Sequence, residues 1–187
     1  MEPDGECGAR CPVCGEVESA TIAPLFVVTG ASGSGKTTLF PLVARRLAGR
    51  AVTFDLDYLL DAAGELSRGE PIDWSSFRSA WLSIAHAVAQ SGMPTVLLGP
   101  LIPEHLEALP IRQWIGDIHY LVLDCSDETR RGRIENRPPW RGRDIDEQTR
   151  FGQWLRANIV DQVDTDQLSL ERSADAVAQW VTERLGC

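Results

Sequence analysis

From Thr21 the chain becomes a run of β-branched and apolar residues, TIAPLFVVTG, without polar alternation. A strand apolar on both sides is one buried within a parallel sheet, so this stretch predicts a central strand. Helical spacing follows, with Leu39, Leu42, Val43 and Leu47 on one face and Gly49 just beyond. Pro41 removes one backbone donor from that helix. Next come a short strand at Ala51–Phe54 and a helix starting near Asp57. Phe77, Trp81, Ile84, Ala85 and Val88 recur at three and four residues, which predicts a long amphipathic helix over Trp74–Gln90. Thr95–Leu98 and Ile118–Leu123 read as the third and fourth strands and Ile159–Val163 as the fifth. Helices are expected at Asp127–Asn136, Glu147–Ala157 and Ser169–Leu185. Strands alternating with helices predict one α/β domain over residues 21–187, its parallel sheet covered on both faces. Residues 1–20 lack periodicity and read as a loop-rich, Cys-containing appendage.

Composition narrows the class. Hydrophobic residues make up 43% and charged residues 24%, which suits a globular domain in water. The apolar run Ala23–Thr29 is strand-sized, too short for a membrane span. The acidic, polar N-terminus does not read as a secretory signal, so a cytoplasmic location is the expectation. A net charge of −9 argues against non-specific nucleic-acid binding. Lys36 is the single lysine, and it falls in the one Gly-rich loop.

That loop, Gly30-Ala-Ser-Gly-Ser-Gly-Lys-Thr37, matches G-x-x-x-x-G-K-[ST] at every fixed position, between a buried strand and a helix. Its glycines let backbone N–H groups converge on an anion, and the helix N-terminus adds partial positive charge. Gly30, Ser32, Gly33, Ser34, Gly35, Lys36, Thr37 and Thr38 are therefore expected to bind the phosphates of ATP. Lys36 would reach the β- and γ-phosphates and Thr37 would give its hydroxyl to Mg²⁺. A phosphate loop alone does not separate kinases from GTPases or mechanical ATPases, but no N-K-x-D guanine signature is present.

After the second strand comes Phe54-Asp55-Leu56-Asp57, whose alternation places two carboxylates together at the sheet's carboxyl edge. With the phosphate loop, this element resembles the shikimate kinase and gluconate kinase families and the chloramphenicol phosphotransferase-like group. Gly69-Glu70-Pro71 and the later Trp81 look like the gluconate kinase stretch. The resemblance covers residues 22–185 in layout. It implies an adenylate-kinase-like P-loop NTPase fold, a three-layer sandwich with a five-stranded parallel sheet in order 2-3-1-4-5. It further implies that Asp57 accepts the proton of, or orients, an acceptor hydroxyl, and that Asp55 holds Mg²⁺. The other reading of Asp57 is an N-cap of the following helix. Strand three ends in Leu98-Gly99-Pro100, without an acidic residue.

Arginines crowd residues 130–150, with Arg137-Pro-Pro-Trp-Arg-Gly-Arg143 at the centre. Kinases resembling this chain carry an arginine lid at this point, here residues 137–147. By that resemblance Arg137 and Arg141 would act on the transferring phosphoryl, and Arg133 and Arg143 would bind the nucleotide. Residues 164–168 are the matching place for an adenine-contacting loop. Pairing of these arginines with Asp144, Asp146 and Glu147 as a solvated face is the alternative. Cys7, Cys11 and Cys14, around C-P-x-C-G, have the shape of a zinc knuckle, but structural zinc takes four ligands and three are local. A reduced tail without metal is the other reading. The sequence thus predicts an ATP- and Mg²⁺-dependent kinase, monomer or homodimer, acting on a small-molecule hydroxyl acceptor such as a metabolite or antibiotic. Its rivals are a nucleoside or nucleotide kinase and a regulatory ATPase whose cysteine knuckle binds a partner.

Overall fold

Ahead of Leu25 the computed structural model places three short antiparallel strands, β1 (Glu2–Pro3), β2 (Gly8–Arg10) and β3 (Val17–Ser19), with β2 in the middle. The structure describes all residues except 1, 4–7, 11, 12, 16, 20, 21, 67–69, 138–143 and 187. Strands of two and three residues are too short for a period-two pattern to register, which is why this stretch reads as loop in the sequence.

The main sheet comprises β4 (Leu25–Thr29), β5 (Val52–Asp55), β6 (Thr95–Leu98), β7 (Ile118–Asp124) and β8 (Gln162–Asp164). All neighbours are parallel, in the order β5-β6-β4-β7-β8. Counted from β4 this is 2-3-1-4-5, as expected. The described helices are α1 (Lys36–Arg46), α2 (Leu60–Leu66), α3 (Trp74–Ala89), α4 (Pro103–Glu107), α5 (Asp127–Glu135), α6 (Ile145–Asn158) and α7 (Leu170–Arg184). Two 3₁₀ turns, Leu56–Leu59 and Pro110–Trp114, complete the connections.

The central strand explains the sandwich. Phe26 and Val28 point to one face, where they pack with Leu39 and Val43 of α1 and Ala174, Val177 and Val181 of α7. Leu25 and Val27 point to the other, against Phe77, Trp81 and Leu82 of α3 and Leu106 of α4. Every β4 side chain is buried, so the strand shows no polar alternation. Each such side chain contributes about 1.5–3 kcal/mol of burial. Helix starts follow local chemistry. Asp73 accepts from Ser75 N–H at 3.0 Å and Ser76 N–H at 3.3 Å, and Asp144 accepts from Glu147 N–H at 2.8 Å.

The fifth strand departs from its expected position. Ile159 ends α6, donating its N–H to Leu155 O, while Val160 is 94% exposed. The apolar pair thus belongs to a helix end, and pairing with β7 begins at Gln162. Helix α4 and the turn at Pro110–Trp114 carry no legible period because each spans five residues.

A fully buried arginine locks the functional end of the sheet. Arg130 pairs with Asp124 at 2.5 Å and donates to Cys125 O at 3.3 Å and Ser32 O at 3.1 Å. Room for the guanidinium comes from Gly152 of α6, where a Cβ would lie 2.7 Å from Arg130 Nη2. Asp124 also pairs with Arg156 of α6 at 2.5 Å. Removing one partner of such a pair strands a charge in low dielectric. Arg130→Ala is therefore expected to cost about 3–5 kcal/mol, measured by urea denaturation.

Candidate active site

The carboxyl ends of β4, β5, β6 and β8 open onto one cavity of about 570 Å³. On its floor, Gly33 and Gly35 adopt φ of 88° and 100°, the left-handed region that admits glycine at little cost. Gly30 has no room for a side chain, since a Cβ there would lie 2.5 Å from Leu123 O. Gly35 begins α1 without any capping side chain, and the first turn contains no acidic residue. The first N–H groups of α1 thus stand as donors at the positive end of the helix dipole. An anion suits that position.

Lys36 bends back over this loop. Its Nζ donates to Gly30 O at 2.5 Å, Ala31 O at 3.2 Å and Ser34 Oγ at 3.4 Å. Burial pushes the ammonium down to about 8, with Asp57 and Asp55 opposing the shift and Arg130 and Arg137 adding to it. A cation with depressed pKa surrounded by carbonyl oxygens is poised to gain from an incoming phosphate.

Two acidic residues line the same cavity, Asp55 beside Thr37 of the loop. Asp55 ends β5, is 4% exposed and accepts from Asp57 N–H at 3.0 Å. Asp55, not Asp57, is therefore the N-cap of the turn at Leu56–Leu59, because the strand ends there and its carboxylate can fold back onto the next backbone. Asp57 is exposed, lies in the turn and lines the cavity with Asp55. Burial raises the Asp55 pKa, against the pull of Lys36 and a hydrogen bond from the Thr37 hydroxyl. Gly99 permits this arrangement, since a Cβ at that position would come within 2.6 Å of Leu56 Cβ. The missing acidic residue after β6 thus coincides with a place where the chain needs no side chain.

Of the expected nucleotide ligands, Ser32, Gly33, Ser34, Gly35, Lys36, Thr37 and Thr38 line the cavity, joined by Arg133 and Arg137. Arg133 donates to Gly33 O at 3.0 Å and Thr165 Oγ1 at 3.1 Å. Gly30 lies beneath, its carbonyl holding Lys36. Arg141, Arg143 and Trp140 lie outside the described residues, as do Cys7, Cys11 and Gly69. Cys14 is exposed, and the described residues include no group of three His, Cys, Asp or Glu able to hold a metal.

Three residues escape a reading by motif. Gln148 of α6 accepts the Ser32 N–H at 2.8 Å, and Arg130 holds the carbonyl of the same residue. Arg78 lies on a second cavity of about 210 Å³ with Leu56, Trp74, Phe77, Pro100 and Leu101. Pro100 belongs to the walls of both cavities. Arg78 has no ion pair or hydrogen bond among the described residues, and burial lowers its pKa. A signal for it exists in the sequence, because a cation four residues before Leu82 interrupts the apolar face of α3. Gln148 and Arg130 offer no such signal, since their partners are backbone groups 116 and 98 residues away.

No protein-family model matches the sequence, and no curated protein matches it. Likeness is found among solved structures. A gluconokinase from Sinorhizobium meliloti 1021 aligns over 88% of this chain and 96% of its own, with 21% identity and a TM-score of 0.57. The tunicamycin resistance protein of Deinococcus radiodurans covers 85% of this chain and 95% of its own, with 16% identity and a TM-score of 0.65. A shikimate kinase from Acinetobacter baumannii covers 87% and 94%, with 18% identity and a TM-score of 0.55. Sheet order, phosphate loop and these alignments together give the chain the α/β fold of the P-loop small-molecule kinases.

Proposed function

We propose that this chain is an ATP-dependent phosphotransferase that moves the γ-phosphoryl group to a hydroxyl of a small molecule bearing an anionic group. One observation carries the reading. A single cavity is lined by both the phosphate loop and the Asp55–Asp57 pair, with Lys36, Arg133 and Arg137 around it. Structural neighbours named as gluconokinase and shikimate kinase support it.

Thr37 and Asp55 are the residues that would hold Mg²⁺, which supplies neutralising charge to the β- and γ-phosphates. They fit it: a buried carboxylate beside a hydroxyl is a hard-oxygen donor pair, and burial raises the Asp55 pKa, a penalty that a cation would relieve. Lys36 exchanges the loop carbonyls for phosphate oxygens. As the acceptor oxygen bonds to the γ-phosphorus, the bond to the β–γ bridging oxygen breaks and ADP departs with that electron pair. Asp57 takes the hydroxyl proton, and Arg133 and Arg137 offset charge on the equatorial oxygens.

The second cavity suits the acceptor's body. Its walls are apolar apart from Arg78, and Trp74 meets Phe77 edge-on at 5.7 Å between ring centroids. An unpaired guanidinium in such a setting gains most from an anion, for which carboxylate geometry is well matched.

Asp57→Asn is expected to lower kcat by about 100-fold or more while the Kd for ATP stays constant. Unchanged turnover would remove Asp57 from the chemistry. In an ATP-consumption screen of hydroxylated compounds, carboxylated acceptors should lead. Arg78→Gln should then raise their KM by about tenfold or more without altering ATP binding. The Lys36 ammonium sits near 8 without ligand and is raised by phosphate, so binding takes up a proton above that point. Affinity for ATP should be flat below pH 8 and fall by about tenfold per pH unit above it, measured by calorimetry.

A further inference from the structure

We infer that the second cavity selects an acceptor built on a single aromatic ring bearing a carboxylate, and rejects polyhydroxylated acids; the acceptor role of that cavity rests on the phosphotransfer reading. Leu56 lines this recess, while its chain neighbours Asp55 and Asp57 line the main cavity, and Pro100 lines both. A ring seated in the recess therefore adjoins the acidic pair. The volume of about 210 Å³ falls below the roughly 300–1,000 Å³ of pockets that bury drug-sized ligands. One ring suits such a space better than a fused or oligomeric body.

The chemistry of the walls is one-sided. Leu56, Phe77, Pro100 and Leu101 have no polar side-chain atom, and the other two side chains, Trp74 and Arg78, only donate. The backbone N–H of Phe77 donates to Asp73 O at 2.9 Å and that of Leu101 to Gly99 O at 2.8 Å. No side-chain oxygen lines the recess, so a sugar hydroxyl placed here finds no side chain to accept its proton. Each hydroxyl left unpaired weakens binding by about tenfold. A carboxylate only accepts, and Arg78, without a counter-charge among the described residues, is the complementary donor. Trp74 is 48% exposed, a large ring left open where Phe77 meets it edge-on. An aromatic body covers that ring and gains a ring–ring contact that an aliphatic polyol lacks.

The test uses 4-(hydroxymethyl)benzoate and gluconate, each with one carboxylate and a primary hydroxyl, in calorimetric binding and in ATP consumption. Wild type is expected to bind the aromatic acid about 100-fold more tightly than gluconate. Trp74→Ala should weaken the aromatic acid by about tenfold with ATP affinity unchanged, and Trp74→Phe should restore most of that loss. Gluconate bound as tightly as the aromatic acid, no binding of the aromatic acid, or unaltered affinity in Trp74→Ala would each overturn the inference. If the aromatic acid binds as expected but no acceptor drives ATP consumption, the phosphotransfer reading fails while the selectivity of the recess stands.

Discussion

Everything in this molecule depends on concentrating positive potential in a small volume lined also by two carboxylates. Lys36, Arg133 and Arg137 converge where α1 begins with uncapped N–H groups. Such an arrangement is self-repulsive, and Arg130 and Arg137 indeed press the Lys36 pKa downward. The fold tolerates it because Lys36 lies against three oxygens and because Asp55 and Asp57 line the same cavity.

Beneath that volume the loop is tied to the helices by hydrogen bonds. Arg130 clamps the carbonyl of Ser32 to the end of β7 and to the face of α6 bearing Gly152. Gln148, one turn before Gly152, takes the Ser32 N–H. Both polar groups of one loop residue are thus fixed from the same helix layer. A phosphate loop held in this way is preorganised, so little conformational entropy is lost when an anion binds.

The two faces of the sheet divide the labour. On the α1 and α7 face, the cavity wall is built from the phosphate loop and the starts of the two helices. On the α3 face, the turn after β5 and the start of α3 enclose an apolar recess with one cation. Pro100 and Leu56 sit at the boundary, and the smallness of Gly99 lets the two chains meet. Both cavities meet at Pro100, at the carboxyl edge of the sheet.

The strands and long helices were legible because each meets a simple rule: β4 is apolar throughout, and α3 and α7 repeat at three and four residues. Gly30–Thr37 and Asp55–Asp57 were legible for a different reason, since both motifs are contiguous and their geometry is local. The two- and three-residue strands β1–β3 and the five-residue helix α4 carry too few positions for a period to appear. Arg130 and Gln148 acquire their roles through the backbone of Ser32, distant in the chain, which sequence spacing does not encode. Local backbone chemistry thus fixed the form of the Gly30–Thr37 loop and of the turn after Asp55, while only the packing of the helices against the sheet decided which side chains surround them.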